Sequence, residues 1–283
     1  MSCYIDLHTH TTFSDGLYTP EELMEYASRK GLKAISVTDH DTIDSHDESA
    51  YWAKHYNIEF VPGVEIEAAY ENIELHILGY YIDPANKELL KTLESLRNMR
   101  DARNNKIIDI FKNDGINVTV EDIQTLTGDK IISRPHFAKF LVDNGYYDSV
   151  SSAMRNYLGR GQRAYVERPL PTPAEAFDII KKASGIPILA HPVQYRLDYT
   201  REEKMLKELK FCGLAGIEAI YSVNSLEDTR RYINLAKKYA LLITGGSDFH
   251  GEIKPGLDLG TGYGDLWVDY SVLEGLKSYR KLI

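Results

Sequence analysis

Six of the nine histidines in this chain fall at or just beyond the end of a short β-like run: His8, His10, His40, His76, His191 and His250. Three acids, Asp15, Glu65 and Asp248, occupy equivalent strand ends. Histidines kept only for packing have no reason to recur at that place. A fold that uses them must gather many strand ends on one face, which barrels of parallel strands do at their C-terminal rim. The first stretch shows the local logic. Ile5-Asp6-Leu7-His8-Thr9-His10 alternates apolar and polar residues, so His8 and His10 leave the strand on the same face. Two imidazoles are half of a metal site, and the other half must come from elsewhere in the chain.

The remaining sequence has the rhythm such a barrel needs, short apolar runs alternating with helical patterns, which predicts an α/β fold with a mainly parallel sheet. Thr19-Pro20-Glu21-Glu22 reads as N-cap, first-turn proline and capping-box glutamate of a helix ending near Gly31. A strand is expected at 34–38 and a helix at 43–56. Two β-rich runs, 59–66 and 74–80, are joined by the turn-prone Glu71-Asn72 and read as a hairpin or adjacent strands. From Pro84 to Arg163 the pattern is helical, with a long helix at 86–113 and shorter ones from near Thr119, Arg134 and Ser149. Residues 1–84 and 164–283 are therefore expected to form the barrel, and 85–163 a helical insertion capping the active site. Beyond it, strands at 187–190, 216–221 and 241–245 alternate with helices at 172–184, 200–211, 225–239 and 271–282.

With 43% hydrophobic and 27% charged residues, 283 residues suffice for one large domain or a domain carrying an insertion. A net charge of −9 excludes nucleic-acid binding through a broad basic surface, though not an enzyme in which ions and a few arginines attract phosphate. Arg97, Arg100, Arg103 and Lys106 recur every three residues and read as a solvated helix face. His46 and His55 lie in a helical pattern and read as surface residues, and Tyr80, Tyr81, Tyr165 and Tyr221 as packing residues. No stretch reaches membrane-spanning length, and the N-terminus lacks a signal-peptide layout. Cys3 and Cys212 are too few for a disulfide framework, so a reduced, cytoplasmic setting is expected.

His8-Thr9-His10 with Ser14-Asp15-Gly16, Thr38-Asp39-His40-Asp41, Gly63-Val64-Glu65, His76, Ala190-His191-Pro192 and Ser247-Asp248-Phe249-His250 resemble, in order, the motifs of the PHP (polymerase and histidinol phosphatase) superfamily. The resemblance covers nearly the whole chain. Arg134-Pro135-His136-Phe137-Ala138 resembles the branch containing nucleoside 3′,5′-bisphosphate phosphatases and a related 5′-to-3′ exoribonuclease. The fold implied is a distorted (β/α)7 TIM-like barrel holding two or three divalent ions. All nine ligand positions are filled, which favours a trinuclear centre. The resemblance places His8, His10, Glu65 and Asp248 on one ion, a bridging Glu65 with His76 and His191 on a second, and Asp15, His40 and His250 on a third. Manganese, zinc or iron would suit such mixed ligation.

What the resemblance implies chemically is a metal-dependent phosphoesterase that removes a phosphomonoester from a nucleotide or nucleoside bisphosphate, attacked by water that the ions activate. Asp39 and Asp41 flank a ligand histidine and could accept from imidazole N–H groups. Asp41 is equally a candidate for direct action near the substrate, beside His191 and Arg134 as catalytic residues. Arg134 and His136 are candidate phosphate donors, with Arg160 and Arg163 as a further clamp. The alternatives are a 5′-3′ exoribonuclease on short RNA and a metal-holding scaffold without catalysis. The partners expected are a small phosphorylated substrate or short RNA, with neither a membrane nor an obligate protein partner.

Overall fold

Seven strands form one sheet whose spatial order is the chain order. They are β1 (Ile5–Thr9), β2 (Ala34–Val37), β3 (Glu59–Tyr70), β4 (Ile73–Tyr80), β5 (Ile186–Leu189), β6 (Gly216–Tyr221) and β7 (Leu242–Gly246). The computed structural model describes residues 4–127 and 131–282, so Cys3 lies outside the described residues. Beyond its end, β7 meets β1: Asp248 N–H donates to the His8 carbonyl at 2.8 Å and His10 N–H to the Phe249 carbonyl at 3.0 Å. A Cβ at position 246 would lie 2.5 Å from the His8 Cβ, so this approach requires glycine. Asp6, fully buried one layer below His8, accepts from Ser247 N–H at 2.9 Å and Gly260 N–H at 2.9 Å and reinforces the seam. The result is a nearly closed (β/α)7 barrel.

The helices are α1 (Pro20–Lys30), α2 (His46–His55), α3 (Lys87–Asn113), α4 (Val120–Thr127), α5 (Arg134–Asp143), α6 (Val150–Ala153), α7 (Pro173–Lys182), α8 (Tyr199–Cys212), α9 (Leu226–Lys238) and α10 (Ser271–Arg280). Their starts follow local chemistry. The capping box expected at Thr19 and Glu22 forms, and others form at Thr172 with Glu175 and at Ser225 with Asp228, each satisfying otherwise orphaned first-turn N–H groups.

The sheet is not parallel throughout. The run expected as a hairpin is one: β4 pairs antiparallel with both β3 and β5. Reversing β4 brings its N-terminal half to the rim where its neighbours end. His76, the fourth residue of β4, thereby reaches that rim from inside a strand rather than from beyond one, and Glu65 does so from the middle of β3.

Between β4 and β5 lie only helices among the described elements. The first half of α3 buries Leu89, Leu93 and Leu96 with Phe177 and Ile180 of α7 against the barrel. Its second half buries Ile107, Ile108 and Phe111 in a separate cluster with Phe137, Leu141 and Leu158. Each such side chain removed from water contributes about 1.5–3 kcal/mol, so α3 is anchored at both ends. Two expectations fail here. Arg100 and Arg103 are not on a solvated face: they are only 2% and 5% exposed, because α3 packs them against the barrel rim, where Arg100 meets Asp41 and Glu67. His46 is also buried, its Nε2 2.7 Å from the Gly63 carbonyl oxygen, whereas Lys106 and His55 are exposed as expected.

Candidate metal centre

Glu65 stands at the centre of the rim. Its Oε2 lies 3.4 Å from His8 Nε2, 3.3 Å from His10 Nε2 and 3.3 Å from His40 Nδ1. Its Oε1 lies 2.9 Å from His76 Nδ1 and 3.3 Å from His191 Nε2. Asp248 Oδ1 approaches His8 Nε2 at 3.5 Å, His10 Nε2 at 3.4 Å and His250 Nδ1 at 3.4 Å. Asp15 Oδ1 is 3.3 Å from His250 Nε2, and its Oδ2 is 3.8 Å from His40 Nε2. All nine positions singled out in the sequence thus come together, drawn from six strands and the loops that follow them.

Local backbone makes this possible. Gly16 closes the loop that carries Asp15 back to β1, since a Cβ there would sit 2.3 Å from the His10 carbonyl oxygen. His191 and Asp248 turn their strand ends through left-handed backbone, with φ of 28° and 58°. Such conformations cost about 1–3 kcal/mol each and persist only when the surroundings hold them. Here the His191 N–H donates to Glu218 Oε2 at 2.7 Å and the Asp248 N–H to the His8 carbonyl.

Donors of this kind fit a cation. His10 Nε2, Asp15 Oδ1, His40 Nδ1 and His191 Nδ1 are buried without a hydrogen-bond partner. Four groups of three or four donors, namely His10-Asp15-His40-His250, His8-Glu65-His191, His8-His10-Asp248 and His40-Glu65-His76, have ligand atoms within 4.8 Å of one another. Buried polar atoms left in that state are costly unless something completes them.

Electrostatics agree. Burial alone would raise the Glu65 carboxyl, yet the imidazoles of His40, His8 and His76 hold it well below the usual range. Burial would lower His10 and His76, but the Asp248 and Glu65 carboxylates raise His10 to about 9, and Glu65 raises His76 to about 9. A group raised on folding stabilises the metal-free protein fully below its unfolded value, here 6.5, and that stability is lost as pH climbs through about 9. Ligation requires the neutral imidazole, so cation affinity rises over the same window. The gap in unfolding temperature between metal-free and metal-loaded protein is therefore expected to widen from pH 6.5 to 9. Calorimetric scans at several pH values would show this, and a constant gap would contradict it.

Beside the donors lies a cavity of about 640 Å³, whose floor includes Asp15, His40, Glu65, His76, His191, Asp248 and His250. Arg134, His136 and Arg160 reach its wall from the helical stretch between β4 and β5. Arg134 is ion-paired with Glu74 and sits over the Tyr165 ring, 5.5 Å from its centroid. The His136 Nδ1 accepts from Ser133 N–H at 3.0 Å. Arg163 does not join them: it is exposed and binds Asp114 at 2.9 Å. Asp41 does not line the cavity either. Its fully buried carboxylate is taken by Arg100 at 2.6 Å and Arg168 at 3.1 Å, so direct contact with a substrate is not what this placement provides. Asp39 accepts from Thr11 N–H at 2.7 Å and from the hydroxyls of Thr11, Ser14 and Ser45, not from an imidazole. It braces the loop between His10 and Asp15.

Three further residues went unnoticed in the sequence. Glu218 Oε1 lies 3.0 Å from His8 Nδ1 and orients that ring from behind. A lone acid inside the apolar run of β6 was the available signal. Lys254 donates to the Asp248 carboxylate and lines the cavity, and Arg168 joins the Asp41 network. Neither carries a local pattern that marks it.

A floor of convergent imidazole and carboxylate donors under an arginine-bearing wall suits hydrolysis of anionic esters, because both can offset charge that develops on a phosphoryl group. A family model for the PHP domain matches residues 6–168. A 5′-3′ exoribonuclease of Haemophilus influenzae is 32% identical over 245 residues, covering 87% of this chain and 89% of its own. A 3′,5′-nucleoside bisphosphate phosphatase of Chromobacterium violaceum is 32% identical over 257 residues, covering 90% of each chain. A solved structure from Bifidobacterium adolescentis, assigned as a metal-dependent phosphoesterase, superposes with a TM-score of 0.83 at 31% identity, over 98% of this chain and 96% of its own. The chain belongs to the PHP family. It is a hydrolase acting on phosphoric ester bonds. Among the described residues, no helix is long and apolar enough to cross a membrane.

Proposed function

We propose that this protein is a phosphomonoesterase acting on nucleotides or nucleoside bisphosphates, with residues 85–163 capping the site. The observation that carries the reading is the cavity in which seven of the nine donors and the wall residues Arg134, His136 and Arg160 face one another. Its volume lies within the range of about 300–1,000 Å³ that encloses small ligands. The donors divide as His8, His10, Glu65 and Asp248 for one cation, Glu65, His76 and His191 for a second, and Asp15, His40 and His250 for a third. Manganese, zinc and iron all suit these ligands. Divalent cations held there supply Lewis-acid polarisation of the phosphoryl group and lower the pKa of water.

The chain's own residues do the rest. Arg134, already oriented by Glu74 and Tyr165, presents its remaining N–H groups to phosphate oxygens. His136 and Arg160 extend that donor set along the wall. Lys254 keeps positive charge beside Asp248. Asp41 keeps the turn after His40 in place through Arg100 and Arg168. A second reading, removal of nucleotides from the 5′ end of short RNA, is supported by the exoribonuclease of Haemophilus influenzae at equal identity.

The test is phosphate release by metal-replete protein from adenosine 3′,5′-bisphosphate, AMP and a short 5′-phosphorylated RNA, with His191→Ala as control. Preferential release from a mononucleotide, lost in the variant, is the expected result. Preference for RNA would replace this reading with the second, and release from none of them would defeat both.

A further inference from the structure

The ladder between β4 and β5 ends on a side chain. Its register runs from Tyr80 with Ile186 to Ile77 with Leu189, so His76 lies opposite Ala190. A hydrogen-bonded antiparallel pair exchanges two backbone bonds. Here only one is made directly, from Ala190 N–H to the His76 carbonyl at 3.0 Å. In place of the return bond, His76 N–H donates to the Tyr195 hydroxyl at 3.0 Å, and that hydroxyl donates to the Ala190 carbonyl at 3.0 Å. The short helical turn Pro192–Tyr195, directly after His191, brings the phenol back to this point.

The consequence falls on His191. The Ala190 carbonyl and the His191 N–H belong to one planar peptide unit, and that N–H is held by Glu218 Oε2 at 2.7 Å. Both polar groups of the unit are thus bound by side chains, and rotation about the next bond is the left-handed φ of 28° at His191. From there His191 Nε2 stands 3.3 Å from Glu65 Oε1, the oxygen that His76 Nδ1 approaches at 2.9 Å. The hydroxyl therefore touches the backbone of His76 on one side and the residue before His191 on the other. It spaces the two strands by one oxygen atom where these donors leave them. Tyr195 does not itself line the cavity.

Resting on the cation sites of the proposed function, we propose that Tyr195 is a positioning residue. Its hydroxyl, spliced into the ladder, sets the separation of His76 and His191 for the cation they would share with Glu65. A phenylalanine ring fills the same space, and the freed His76 N–H and Ala190 carbonyl then pair directly, drawing the stem of His191 toward β4. The fold survives that change, but the donor spacing does not.

The test is a calorimetric titration of metal-free protein with manganese(II), with bound metal counted by elemental analysis. Tyr195→Phe is expected to bind the affected cation about tenfold to a hundredfold more weakly, the usual loss when a residue supporting a ligand is removed. At a manganese concentration that just saturates wild type, it should retain about one cation fewer per chain. Tyr232→Phe is the control. It removes a buried hydroxyl that serves Glu202 and Arg231, so it should lower the unfolding temperature and leave the titration unchanged. Phosphate release adds a second readout: the manganese concentration for half-maximal activity should rise in Tyr195→Phe, whereas KM at saturating manganese should match wild type, because the phenol does not reach the cavity. A wild-type titration for Tyr195→Phe, or equal losses in the two variants, overturns the assignment, as does wild-type protein that takes up no cation. Weaker manganese binding by Tyr195→Phe, in a protein whose wild type hydrolyses neither nucleotide nor RNA, upholds it while defeating the proposed function.

Discussion

Glu65→Gln is expected to lower kcat/KM by about three orders of magnitude and to strip the protein of most of its metal. The magnitude follows from losing several kcal/mol of charge stabilisation at the reacting phosphate, each ~1.4 kcal/mol being tenfold in rate. No other residue holds so many donors in register, since its two oxygens face five imidazoles at 2.9–3.4 Å. An amide of the same shape retains one acceptor and removes the negative charge. The imidazoles of His40, His8 and His76, which hold the Glu65 carboxyl well down against its burial, would then lose that carboxylate. Elemental analysis of the purified variant, together with phosphate-release kinetics at saturating metal, measures both effects. Metal content and activity within tenfold of wild type would show that neither depends on the Glu65 carboxylate.

The second large effect concerns stability. Arg100→Met should destabilise the fold by about 3–5 kcal/mol, the usual cost of removing one partner from a buried ion cluster. Arg100 is 2% exposed and binds Asp41 at 2.6 Å and Glu67 at 3.0 Å, so truncating it leaves two buried carboxylates to Arg168 alone. The sign with pH is definite. Burial would raise the Glu67 carboxyl, but Arg100 and Arg168 depress it well below 4.5. A carboxylate depressed on folding stabilises the protein above its unfolded value and loses that contribution as pH falls through the folded one. The difference between wild type and Arg100→Met should therefore be full at neutral pH and shrink below about 4.5. Urea denaturation at pH 7 and pH 4 measures it, and a difference under 1 kcal/mol at pH 7 would mean that Arg100 is not structural.

How much of this could be read from residues alone depends on the range of the chemistry involved. Thr19 with Glu22 caps α1 because both groups lie within one helical turn, and such pairs are visible in any sequence. His8 and His10 share a face because strand alternation has period two. The recurrence of histidine and acid at strand ends then revealed the centre, since a parallel barrel turns that periodicity into proximity. His76 shows the limit: its motif was found, yet only the reversed direction of β4 explains how a mid-strand residue reaches the rim.

Arg100 and Arg103 show it more sharply. Spaced on α3 like a solvated face, they are buried because α3 packs across the rim and Asp41 and Glu67 wait opposite, 59 and 33 residues away from Arg100 in the chain. Glu218 and Lys254 acquire their roles in the same way, through partners that only closure of the barrel brings near. By itself the sequence determined the caps and the strand rhythm, set by interactions over a few residues, and marked the nine imidazole and carboxylate groups that the barrel gathers at its rim. The tertiary structure decided which charges are buried and what neutralises them, because electrostatic energy depends on distance and burial in space, and neither can be counted along the chain.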